Sequence, residues 1–145
     1  MIALEKLLLL KSVTLFRETP IDLLMQVVNS IVKEQMFSAG DQIVEKGDSG
    51  TNMFIIVKGR VKVHDEDTVI AELGEREIFG ELSALSLQPR VASVSAVTDC
   101  LLLKIGSSGL YDLMNLDIGL TKGIIRALCD RARMMSIQIQ ELHKT

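Results

Sequence analysis

The chain has no tryptophan, one tyrosine and four phenylalanines, so it offers few flat side chains on which bases could stack. Its formal net charge of -3 at pH 7 gives no general attraction to phosphate backbones, and the two shortages together argue against nucleic acid as a partner. The only two cysteines, Cys100 and Cys129, lie far apart without a Cys-x-x-Cys pair, which leaves a disulfide framework or a zinc site unsupported and makes a reducing, cytoplasmic setting the default. With only His64 and His143, too few imidazoles are present to converge with carboxylates on a metal. No Ser/His/Asp or Cys/His set can be assembled either, so neither a metal cofactor nor catalysis is expected. The leucine run 7–10 is bracketed by Glu5, Lys6 and Lys11 and is far short of the ~20 apolar residues that a bilayer requires, so this chain is not expected to insert into a membrane.

What is present fits one domain over residues 1–145, with 48% hydrophobic and 24% charged residues, enough to bury roughly two-thirds of the unfolded surface. Residues 1–32 read as a helical segment. Apolar side chains at 3, 4, 7, 8 and 10 have helical spacing, and a second helix is expected from Pro20, capped by Thr19, with Leu23, Leu24, Val27, Val28 and Ile31 as its buried stripe. Residues 33–106 change to short strands separated by glycine turns, the rhythm of an antiparallel jelly roll. Met53 to Val57 read as a strand buried on both faces, whereas Val61 and Val63 alternate with Arg60, Lys62 and an exposed His64. Residues 107–143 return to helix. There Ile118, Ile125, Ala132 and Ile139, offset by Thr121, Leu128, Met135 and Leu142, form a near-complete a/d seam that could pack on its own body or pair with a second copy.

Two stretches carry chemistry. The first is Ile43-Val44, two residues, Gly47-Asp48, one residue, Gly50, two residues, four apolar residues, two residues, then Gly59. The second is residues 79–94, in which Phe79, Gly80, Glu81, Leu82 and Ser83 lead through a helix-capable turn to Arg90, Val91 and Ala92. Gly80 lets the backbone approach a ligand without an intervening Cβ, and amides at the start of a short helix attract an anion. The planar fork of Arg90 can hold two phosphate oxygens at once. A carboxylate beside a phosphate needs another purpose, and Glu81 can accept hydrogen bonds from sugar hydroxyls. From composition alone the blander reading, a strand end, a one-turn helix and a surface arginine, is the favoured one.

Both stretches resemble the signatures of cyclic-nucleotide-binding domains, the module of cAMP-dependent kinase regulatory subunits and catabolite activator proteins. The resemblance covers about residues 10–135. It implies an α+β, mainly β fold: an eight-stranded antiparallel jelly-roll barrel flanked by N-terminal helices and a long C-terminal helix, with residues 79–94 as the phosphate-binding cassette. It implies that Arg90 and the amides after Glu81 meet a cyclic phosphate, that Glu81 meets the ribose 2′-hydroxyl, and that Val63 and Ile70 face the base. Two positions depart from the family pattern, Ala84 and Val91. Val91 stands where a Thr often supports guanine, which favours cAMP over cGMP. The implied output is movement of the cassette, with Leu82 and Leu85 repacking against the terminal helix, toward an effector domain or partner. No helix-turn-helix follows within the 145 residues, so direct DNA reading is not expected. The alternative from another class is a degenerate jelly roll that binds no ligand and serves oligomerisation or regulation of a larger parent protein.

Overall fold

The computed structural model describes residues 1–144, and of Val27 only the backbone is described. Helix α1 (Ala3–Ser12) buries Leu7 and Leu10, and a 3-10 turn at Thr14–Phe16 buries Leu15 and Phe16. Helix α2 (Ile21–Ile31) buries Leu24 and Val28, with Leu23 and Ile31 packed at the margin. Its start corrects the sequence reading. Pro20 itself is the N-cap, and Thr19 does not cap: its side chain is fully buried and its hydroxyl has no hydrogen-bond partner. The fixed φ of proline sets the entry without a hydroxyl.

Eight strands follow, split into two four-stranded antiparallel sheets. One is ordered β1 (Val32–Phe37), β8 (Cys100–Gly106), β3 (Asn52–Lys58), β6 (Ile78–Phe79). The other is ordered β2 (Gln42–Val44), β7 (Ser93–Ala96), β4 (Val61–Asp65), β5 (Thr68–Leu73). The expected closed barrel is therefore an open two-sheet jelly roll: among the described residues no ladder joins the sheets. A two-residue β6 at one edge is too short to carry the pairing across.

The first sheet is the middle layer of the molecule, which explains the doubly buried strand. Phe54 and Ile56 of β3 face the second sheet with Val61, Phe79, Val94, Ala96 and Leu102. Met53 and Ile55 face the helices with Phe16, Leu24, Leu103, Ile105, Leu110 and Leu120. A side chain on either face leaves water, and alternation disappears from the sequence.

Helix α3 (Glu81–Ser86) lies in the connection from β6 to β7. Helix α4 (Ser107–Leu116) continues directly from β8, and α5 (Ile118–His143) opens on Asp117, whose carboxylate accepts the Leu120 amide at 3.2 Å. Leu120, Gly123 and Ile124 hold the first turns of α5 on the body, whereas every residue from 129 to 144 is exposed. Among the described residues no helix is both long and apolar enough to cross a membrane.

Candidate functional site

Arg90 sits at the centre, 6% exposed, in the loop between α3 and β7. Its backbone is zipped to the loop after β2: its amide donates to Asp48 O at 2.8 Å and its carbonyl accepts the Gly47 amide at 2.9 Å. The guanidinium donates from Nη1 to Gly80 O at 3.1 Å and from Nη2 to Asn52 O at 2.8 Å. Two glycines make the space. A Cβ on Gly50 would lie 1.9 Å from Nε of Arg90, and one on Gly80 would lie 2.6 Å from Nη1, with φ of +79° adding strain. Gly50 and Asn52 belong to the upstream stretch and Gly80 to the cassette, so the two sequence motifs meet at one side chain.

Among the described residues no carboxylate pairs with Arg90. Burial pulls its guanidinium below the ordinary value, and the charges of Glu81 and Asp48, acting at longer range, offset part of that. A desolvated cation held by carbonyl dipoles, with donors to spare, is a receptor for an anion.

A cavity of about 240 Å³ opens beside it. Of the ten residues singled out in the sequence, the structure brings nine to this cavity: Phe79, Gly80, Glu81, Leu82, Ser83, Arg90, Val91, Ala92 and Val63. Phe79 anchors the floor by stacking on Phe54, with ring centroids 5.0 Å apart. Glu81 and Ser83 are buried, whereas Leu82 and Val91 stand at the exposed rim. The first hydrogen bond of α3 runs from Ala84 N to Gly80 O, so the amides of Leu82 and Ser83 precede its ladder.

Ile70 does not reach the cavity. The ladder pairs Val63 with Ala71 and His64 with Val69, so Ile70 is the extra residue of a bulge and lies 62% exposed, beside Lys46 and Thr68 in a different depression. Leu73 and Ile78 supply the apolar wall instead, with Val44 and Val94. His64 is likewise not a plain exposed residue. It is half-buried, with Nδ1 2.7 Å from Glu66 O and Nε2 2.8 Å from the Ser95 hydroxyl, and it fastens the β4–β5 turn to β7.

Arg131 is the residue that sequence reasoning missed. It projects from α5 into the cavity wall and forms an ion pair with Glu81. Its neighbours Arg126 and Arg133 bind elsewhere, to Glu18 and Asp130. No spacing rule singles out one arginine among three on an exposed helix. Among the described residues no group of three His, Cys, Asp or Glu side chains could hold a metal ion.

The family model of the cyclic nucleotide-binding domain matches residues 34–117. The chain belongs to the cyclic nucleotide-binding domain family. Within that family it is 42% identical over 80 residues to a cyclic nucleotide-gated cation channel of Drosophila melanogaster, covering 54% of this chain and 12% of the channel. It is 38% identical over 97 residues to a cyclic nucleotide-gated potassium channel of Rhizobium etli, covering 67% of this chain and 27% of that one. The match thus spans about a quarter or less of these relatives' length. Among solved structures, the N-terminal domain of a transcriptional regulator from Streptomyces coelicolor A3(2) superposes with a TM-score of 0.73 at 26% identity, over 90% of this chain and 94% of that one. In this cyclic nucleotide-binding domain Gly50 and Gly80 both border Arg90, and Val91 follows the arginine at the exposed rim of the cavity.

Proposed function

We propose that this chain is a sensor domain that binds a cyclic mononucleotide, cAMP in preference to cGMP, and signals through the cassette and α5. The observation that carries the reading is the buried, carboxylate-free guanidinium of Arg90 beside the buried carboxylate of Glu81 in one apolar cavity. Opposite charges lining one cavity without pairing, one with no counter-ion and one acceptor-only, suit a molecule with an anionic end and adjacent hydroxyls. The cyclic phosphodiester carries one negative charge for Arg90 and the leading amides of α3. The ribose 2′-hydroxyl donates to Glu81. Val63, Leu73 and Ile78 offer the base an apolar wall. Val91 has no polar side-chain atom to answer the extra groups of guanine, which supports cAMP; a missing buried polar contact is worth about 1–3 kcal/mol.

The Glu81–Arg131 pair supports α5 as the output element, because it links the sugar position to a helix whose distal half is exposed. That helix also carries exposed Ile125, Met135, Ile139 and Leu142 at heptad spacing, which supports a homodimer through α5. Titration calorimetry with cAMP tests the binding reading. Saturable binding that Arg90→Ala and Glu81→Ala each greatly weaken is expected, and equal affinity in all three proteins would overturn it.

A further inference from the structure

The carboxyl end of α3 is closed in an unusual way. Leu82 O accepts the Ser86 hydroxyl at 2.6 Å, and Ser83 O accepts the amide of Leu87 at 2.8 Å, where Leu87 turns left-handed with φ of +58°. The next two carbonyls are those of Ala84 and Leu85. Continuing the helix would serve Ala84 O from residue 88, which the left-handed turn prevents, and Leu85 O from residue 89, which is proline and has no N–H. Both are served from outside: Ser107 donates its hydroxyl to Ala84 O at 2.7 Å, and Tyr111 donates its hydroxyl to Leu85 O. Ser107 and Tyr111 are four residues apart, on one face of α4, so a single helix grips both carbonyls.

We propose that Ser107 and Tyr111 are positioning residues of the nucleotide site: their hydroxyls fix the angle of α3, and with it Glu81 and Ser83, and tie any shift of the cassette to α4. This rests on the binding reading above. Apolar contact alone would let α3 slide or roll. Two directed hydrogen bonds to consecutive carbonyls set both its axial rotation and its distance from α4.

The chain's composition supplies the test, because Tyr111 is its only tyrosine and there is no tryptophan. With ring-labelled tyrosine, the unmodified chain gives one set of carbon resonances, and adding cAMP is expected to shift it. Tyr111→Phe and Ser107→Ala are each expected to weaken cAMP binding about three- to tenfold, the size of one net hydrogen bond, and to speed amide exchange across residues 81–87. Ser107→Thr keeps the hydroxyl and is expected to bind as the parent does. Three results overturn the proposal. If the unmodified chain binds cAMP while the tyrosine signal stays fixed, or while both variants keep parental affinity, the positioning role falls and the binding reading stands. If the unmodified chain binds no cyclic nucleotide, both fall together.

Discussion

Glu81, on the cassette helix, and Arg131, halfway along α5, form an ion pair although 50 residues separate them in sequence. The side chain of Glu81 is 7% exposed and that of Arg131 is 42% exposed, so the carboxylate is the desolvated member and gains most from the contact. The pair fixes the direction of the one acid in the cavity lining and engages only one of its two oxygens, Oε1. Arg131→Ala should therefore weaken cAMP binding by about 1 kcal/mol, roughly fivefold, the discounted value for a pair with one wet partner. Amide exchange in the distal half of α5 should rise in the same variant. Unchanged affinity together with unchanged exchange would remove Arg131 from the site.

Arg90 leads to a sharper prediction, because its fork is held by two carbonyls, Gly80 O and Asn52 O, that point from different strand ends. A lysine has the charge but not the plane, and it cannot bond both carbonyls while presenting donors to a phosphate. Arg90→Lys should fail to rescue the loss seen in Arg90→Ala, with both weakened by about 2 kcal/mol or more in calorimetry. Near-parental affinity in the lysine variant would show that charge alone is used.

Glycine substitutions separate the seat of Arg90 from the fold. An alanine at 50 would place its Cβ 1.9 Å from Nε of Arg90, so the guanidinium must leave its seat while the loop backbone, whose φ is unstrained there, can stay. Gly50→Ala should cost at least tenfold in cAMP affinity, and overpacking of this kind should take about 1–3 kcal/mol of stability. Gly74→Ala is the control: its Cβ would be 3.5 Å from Nη1 of Arg60, ordinary contact, and thermal melting should move by about 0.5 kcal/mol or less. Equal binding by the two variants would break the link between Gly50 and Arg90.

The two glycine-bearing motifs were legible because each glycine answers a steric demand that no other residue meets, and because Arg90 is the side chain that both motifs serve. The doubly buried strand Met53 to Val57 was legible from its lack of alternation, whereas its place between the helices and a second sheet was not. Ile70 was misjudged because a bulge shifts register by one residue, and nothing local in Thr68-Val69-Ile70-Ala71 marks it. Thr19 was misjudged because a hydroxyl beside a proline reads as a cap whether or not it is buried. Arg131 was out of reach because its partner is chosen by the path of α5, which no spacing encodes. The open edges between the sheets depend on a two-residue β6, and the length of so short a strand is set by its neighbours.

The heptad seam is the remaining feature with a clear physical consequence. Its first half is divided: Leu128 packs partly on the body, whereas Ile118 and Ile125 are 69% and 55% exposed. Its second half, Met135, Ile139 and Leu142, is 54–75% exposed on the part of α5 that lies open to solvent throughout. Pairing with a second copy would bury these side chains, each worth about 1.5–3 kcal/mol when fully covered. Light scattering should therefore report a dimer, and Ile125→Glu with Ile139→Glu should convert it to a monomer. Because both residues are exposed within one chain, the melting temperature of that monomer at low concentration should match that of the dilute parent, while the concentration dependence of the parent's melting should vanish. A parent protein that stays monomeric at high concentration, with and without cAMP, would overturn pairing of the seam with a second copy.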